Sequence, residues 1–394
     1  MQHERGLSLP EPDPSSAAHS ARVADYIAQH IAEAGGSISF AEFMHHALYA
    51  PGLGYYSAGA TKFGTDGDFV TAPEVSPLFG RVLARQCADV LTEIDAASVL
   101  EFGAGSGKLA ADILQALAAF DALPKEYCIL EVSADLCERQ HQFLRDAVPE
   151  HVGRVRWLDR LPDTHTGVII ANEVLDALPV QRFVAREGGI VQHHVAVDNG
   201  QFVMVERPAD EPLKAAVRAI ESDLGRALPT GYVSEVSLAL PAWIRDVARI
   251  LRHGIAFLFD YGVSRREYYA ADRSGGWLRC HFRHLAHDEA LLMPGIQDLT
   301  AWVDFSAVAE AAVAEGLEIA GYLPQAQFLI GGGLDTELED LEQLSIDKQL
   351  ELSRQVKLLT LPAEMGEHFK CLGLCRGPVR IPAAFKFADR TASL

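Results

Sequence analysis

The stretch Glu101-Phe102-Gly103-Ala104-Gly105-Ser106-Gly107 constrains this chain more than any other. It follows the short apolar run Ala97-Ser98-Val99-Leu100 and opens a helix-like segment, Lys108 to Phe120. An acid and then three glycines at alternate positions, at a strand-to-helix turn, is how a Rossmann-type sheet holds a nucleoside cofactor. Glycine lets the main chain turn sharply, and the missing Cβ lets a ligand approach the helix N-terminus.

Spacing narrows the choice of ligand. The dinucleotide pattern G-x-G-x-x-G, begun at Gly103, needs glycine at 108, where Lys108 stands. A phosphate-binding P-loop anchored on Gly107-Lys108 needs glycine at 102 and Ser or Thr at 109, where Phe102 and Leu109 stand. The remaining pattern, E-x-G-x-G-x-G, resembles motif I of class I methyltransferases that use S-adenosylmethionine. Another nucleotide, or a purely structural turn, stays open at this point. The next apolar run, Tyr127-Cys128-Ile129-Leu130, ends in Glu131. A carboxylate there can accept both ribose hydroxyls, each bond to a charged acceptor contributing about 1.5–3 kcal/mol. The alternative is that Glu131 caps the helix Ser133–Leu144, since acids favour helix N-termini.

The net charge of −20 argues against sequence-independent binding of nucleic acid, which needs a basic face. One local basic region exists: Arg245, Arg249, Arg252, Arg265, Arg266, Arg273, Arg279 and Arg283, with acids among them, read as a solvated or ion-paired surface. Six scattered cysteines without a C-x-x-C fit buried thiols in a reducing compartment. No apolar run is long enough to span a membrane. Glu4, Glu11 and Asp13 do not suit a transit peptide, so the expected location is cytoplasmic.

Apolar runs alternate with helical periodicity. Strands are expected at 154–158, 167–171, 254–259, 318–323 and 370–374 after the two already placed, with helices at 19–34, 40–49, 77–92, 211–227 and 305–315. That order predicts an α/β, Rossmann-like, doubly wound and mostly parallel sheet. Residues 1–19 read as a loose arm and 20–92 as an N-terminal helical and cofactor-lid segment. Residues 93–394 read as the sheet domain, with insertions at about 180–245 and 262–304, after the fourth and fifth strands. In the first insertion Asp198-Asn199-Gly200 marks a hairpin turn. Ligands of such sheets lie beyond the carboxyl ends of the strands, so both insertions are assigned to a substrate lid.

Methyl transfer from a sulfonium needs mainly positioning and removal of water. Asn172-Glu173, ending the fourth strand, stands where amino-directed methyltransferases place a side chain that accepts the target N–H. Val174-Leu175-Asp176 follows, not the Pro-Pro-aromatic expected for DNA bases or glutamine. A cationic acceptor suits acids on the ligand face, for which Glu173, Asp176, Glu235, Asp68 and Glu74 are candidates. Cys280, His284 and His287 have the spacing of one helical face and invite a metal reading, but packing explains the run better. No G-x-S-x-G elbow supports a hydrolase.

Several segments together resemble the MidA-like methyltransferases: Gly52–Tyr56, Gly67–Ser76, Glu101–Gly107, Asn172–Val180, Asp260–Gly262 and His287–Phe305. The resemblance runs in order over roughly residues 20 to 380. It implies a class I S-adenosylmethionine fold with a lid and, for mitochondrial members, methylation of an arginine on a respiratory complex I subunit. It further implies that the 67–76 segment closes over the cofactor, making Asp68, Phe69, Thr71 and Glu74 site candidates beside Glu101, Gly103, Gly105, Gly107, Glu131 and Asn172. Asn172, Glu173 and Glu235 are the candidates for chemistry. The expected activity is transfer of methyl to a protein arginine. The rivals are an assembly factor that binds S-adenosylmethionine without turnover, and a small-molecule or RNA methyltransferase.

Overall fold

The computed structural model describes residues 9–57 and 71–394. Two compact units share the chain. One comprises the described parts of Met1–Phe69 with Ala177–Ala239 and Arg266–Ala301; the other comprises the described parts of Val70–Asp176 with Leu240–Arg265 and Trp302–Leu394.

The second unit is built on a large sheet. Its main strands are β1 (Ser98–Phe102), β2 (Tyr127–Leu130), β3 (Val155–Leu158), β4 (His165–Asn172), β5 (Leu251–Val263), β6 (Glu318–Pro324) and β7 (Phe369–Arg376), and the short strand Val303–Asp304 pairs in parallel with the end of β5. Across the sheet they lie in the order β6-β7-β5-β4-β1-β2-β3. The neighbours from β5 to β3 are parallel, and β7 runs antiparallel to both β5 and β6. Val168, Ile169 and Ile170 of β4 and Ile255 through Phe259 of β5 are all buried, as expected of strands covered on both faces. The helix Pro77–Leu91 buries Leu78, Phe79, Val82, Leu83, Cys87 and Val90 and packs on β4 and on helix Lys108–Ala119. The chain thus forms the α/β, Rossmann-like class I fold that the sequence predicts.

The first unit carries an antiparallel sheet ordered Ser37–Ser39, Gly189–Asp198, Gln181–Arg186, Val233–Val236, with Gln201–Pro208 paired to Gly189–Asp198. The turn at Asn199 (φ 48°) and Gly200 (φ 79°) has both central residues left-handed, the two-residue geometry that suits strand twist. Helices Pro14–Glu33 and Phe40–Tyr49 contribute Val23, Ile27, Ile31, Phe40, Phe43 and Leu48 to this unit's core.

Several expectations need correction. The first helix begins at Pro14, inside the presumed arm, because Asp13 caps it by accepting from the Ser15 and Ser16 N–H groups at 3.0 Å. The helices Ala72–Val75 and Pro77–Leu91 belong with the large sheet, so the N-terminal segment does not run to 92. Residues 240–245 also leave the insertion for the sheet unit. The Cys280–Asp288 run is a hairpin of Leu278–Phe282 and Leu285–His287, turned at Arg283 (φ 49°) and His284 (φ 62°), and not a helix. Among the described residues, no group of three or more His, Cys, Asp or Glu is arranged to hold a metal. The arginine-rich region is largely ion-paired: Arg245 with Glu315, Arg249 with Asp246, Arg265 with Asp304 and Glu310, Arg279 with Asp288, and Arg283 with Asp13.

Candidate active site

Strand register brings four functional segments to one edge of the large sheet. Phe102 pairs with both Ala171 and Leu130, and Asn172 pairs with Phe259. Gly103 and Glu131 therefore directly follow β1 and β2, Asn172 ends β4 with Glu173 next, and Asp260 stands within β5 just past Phe259, the partner of Asn172, so all four lie at the level where ligands of such sheets bind.

The glycine turn has left-handed backbone at all three glycines, with φ of 62° at Gly103, 55° at Gly105 and 87° at Gly107. Gly107 is the N-cap of helix Lys108–Ala119 and offers no side chain to its first N–H groups. A Cβ built on Gly103 would meet no atom within 4 Å. The backbone conformation, not crowding from the protein, demands glycine there, and the space beyond it is open to a ligand.

Two carboxylates flank this turn. Glu101 is buried and accepts a hydrogen bond from the Tyr127 hydroxyl at 2.7 Å. Burial pushes its pKa up to about 7; the Tyr127 bond opposes the rise and Glu131 adds to it. Glu131 accepts from the Ser133 N–H through Oε1 at 2.9 Å and from Gln140 Nε2 through Oε2 at 3.2 Å. The same Nε2 donates to the Gly105 carbonyl at 3.0 Å. Ser133, not Glu131, is the N-cap of helix Ala134–Ala147.

Glu74 also reaches the turn: it accepts from the Ser106 hydroxyl, and its carbonyl accepts from Lys108 Nζ at 3.0 Å. Thr71 precedes the short helix Ala72–Val75 without capping it through its side chain. Asp68 and Phe69 lie outside the described residues.

At the end of β4, Asn172 Nδ2 donates to Glu173 Oε1 at 3.1 Å, while Asn172 Oδ1 is buried with no hydrogen-bond partner. Glu173 has φ of 54°, a strained conformation for a residue with a Cβ, of a kind that clusters at functional sites. Asp260 holds this bend. Its Oδ2 accepts from the N–H groups of Val174, Leu175 and Asp176 at 3.2, 2.9 and 3.2 Å, and its Oδ1 from Tyr261 N–H at 3.0 Å. Burial, then Asp176, then Glu173, drive the Asp260 pKa well above the usual carboxylate range. Sequence reasoning singled out Asp260-Tyr261-Gly262 without assigning a role; the signal was a lone acid near the end of a buried apolar strand.

Glu235 is placed otherwise. It belongs to the first unit, is wholly buried, accepts from the Trp277 N–H at 2.8 Å and forms an ion pair with Arg182 at 3.2 Å. Burial raises its pKa, and Arg182 and the Trp277 N–H oppose the rise. These contacts are those of a residue that fixes the Trp277 segment to strand Val233–Val236.

The residues present fit a nucleoside cofactor. An open glycine cradle at a helix N-terminus and a braced carboxylate at the next strand end supply its site. No phosphate-binding side chain pattern stands at the turn.

Comparison with known proteins agrees. The profile of an S-adenosyl-L-methionine-dependent methyltransferase family matches residues 82–323. The Drosophila melanogaster protein arginine methyltransferase NDUFAF7 homolog, mitochondrial, is 30% identical over 374 residues, covering 87% of this chain and 82% of the relative. Its Danio rerio counterpart is 30% identical over 379 residues, covering 87% and 85%. A Burkholderia thailandensis crystal structure with S-adenosyl-homocysteine bound is 42% identical, superposes with a TM-score of 0.92, and is covered over 100% of its length by 98% of this chain.

Proposed function

The chain belongs to the MidA-like family of S-adenosylmethionine-dependent methyltransferases, and from that premise we propose that it methylates a nitrogen of a protein arginine. The observation that carries this reading is the buried, unpartnered Asn172 Oδ1 at the end of β4. An unmade bond at a buried acceptor costs about 1–3 kcal/mol, which an incoming N–H donor would recover. The related animal proteins named as protein arginine methyltransferases point the same way.

When bound, S-adenosylmethionine supplies a methyl group already activated on a sulfonium. Gly103, Gly105 and Gly107 would receive it along the turn, with Glu131 at the ribose and Glu101 shaping the turn from beneath. Asn172 Oδ1 accepts an N–H of the guanidinium and orients it. The Glu173 carboxylate takes the proton that this always-charged group must lose. Asp260 keeps Asn172-Glu173 in place through the bend it clamps. We assign Glu235 a structural part within its own unit. The six cysteines are all unpaired, which suits a reducing compartment such as the cytoplasm; the animal relatives carry a mitochondrial label.

The test is intact-mass and peptide mass spectrometry after incubation with labelled S-adenosylmethionine and candidate acceptors, respiratory complex I subunits first. Label on arginine, lowered about 10- to 100-fold in Asn172→Ala with S-adenosyl-homocysteine affinity preserved, is the expected result. Cofactor binding with no methyl on any protein would replace this reading with that of a non-catalytic binder.

A further inference from the structure

Gln140 occupies the middle of helix Ala134–Ala147 and is completely buried. All three of its polar contacts have partners of fixed polarity. Trp157 Nε1, which can only donate, reaches Gln140 Oε1 at 2.9 Å. The Gly105 carbonyl and the Glu131 carboxylate, which can only accept, take the two hydrogens of Nε2 at 3.0 and 3.2 Å. The indole thus sets which end of the amide faces the site, and the amide ties the glycine turn to the carboxylate of the neighbouring strand.

The consequence for Glu131 is specific. Each of its oxygens holds one protein donor, Ser133 N–H on Oε1 and Gln140 on Oε2. Each carboxylate oxygen accepts about two hydrogen bonds, so one position remains on each. Two acceptors fixed side by side match the two adjacent hydroxyls of a ribose.

We propose that Gln140 is a positioning residue, anchored by Trp157, that presets Glu131 and the glycine turn as a receptor for a vicinal diol. The inference rests on the nucleoside reading of this edge and deepens it: selectivity for an intact ribose comes from a helix residue that itself touches no ligand. Without the amide, Glu131 keeps the Ser133 bond alone and can rotate about it. A ligand with both hydroxyls then loses more than one with a single hydroxyl.

Calorimetry of the full-length chain with S-adenosyl-homocysteine and with its 2′-deoxy analogue tests this, thermal melting serving as the check on folding. Gln140→Leu is expected to weaken S-adenosyl-homocysteine about 10- to 100-fold, the range of one hydrogen bond to a charged group, and the deoxy analogue by a clearly smaller factor. Trp157→Phe removes only the anchor and is expected to reproduce the same unequal loss at roughly two- to tenfold, which keeps the test open should Gln140→Leu fail to fold. Equal losses for both ligands, or no loss, would overturn the positioning role and leave the methyltransferase reading intact. Wild-type protein that binds neither ligand would overturn that reading and the inference with it.

Discussion

Gly103→Ala separates backbone demand from ligand demand at the turn. Residue 103 has φ of 62°, and a Cβ there meets no protein atom within 4 Å. The substitution therefore carries the strain of a left-handed alanine, about 1–2 kcal/mol, and no clash. If the large-sheet unit melts as one cooperative block of about 150–250 residues, a loss of 1 kcal/mol lowers its Tm by about 2–4 °C, so the free variant should melt no more than about 8 °C below wild type. If a nucleoside lies over residue 103, the added methyl occupies space meant for the ligand. Overpacking of that kind costs about 1–3 kcal/mol, which weakens binding roughly 5- to 150-fold. Calorimetry with S-adenosyl-homocysteine, beside melting curves with and without ligand, reads both quantities on one sample. Unchanged affinity with the expected fall in Tm would refute the placement of the ligand. An unfolded variant would refute the claim that the space is open.

The remaining predictions concern two buried acids. Glu101 has its folded pKa raised from 4.5 to about 7, so the folded chain keeps a proton that the unfolded chain has lost between those values. Stability should therefore fall as pH rises from about 4.5 to 7, by on the order of 3 kcal/mol. Glu101→Gln, which still accepts from Tyr127, should lose that slope and be the more stable form above pH 7; identical urea midpoints for both proteins across the range would sink the argument. Asp260→Ala strips the acceptor from four backbone N–H groups. At about 1–3 kcal/mol for each buried donor left unmatched, the net loss should exceed roughly 3 kcal/mol in urea unfolding. A loss below about 1 kcal/mol would show that the bend at 173–176 holds itself.

Much of the sheet was legible because its strands are short apolar runs ended by glycine or acid. The Asn199-Gly200 turn was legible because a two-residue hairpin demands residues that tolerate positive φ. The start of the first helix was written in Asp13-Pro14, an N-cap acid before a proline in the first turn, yet the surrounding Pro and Ser made the stretch resemble a tail. The Cys280–His284–His287 spacing suggested a helix because three- and four-residue offsets are helical, while the third strand that pairs with this hairpin, Asp298–Ala301, lies outside the run. Glu235 drew attention as an acid in a family segment, but its burial against Arg182 and Trp277 is a product of tertiary packing. Gln140 gave no sign at all: a glutamine within a polar helix looks the same whether it faces water or an indole.

The threading of the two units has a consequence for how this protein is made. Strand Ser37–Ser39 finds its partner in Gly189–Asp198, and the first unit needs residues as late as Ala301. The large sheet is not closed until β7, the last of β1–β7 in chain order, slides between β5 and β6. Neither half can be released by a single cut, and nascent chains must keep long apolar stretches waiting for distant mates. Truncations at either end should thus yield aggregates in place of smaller working proteins.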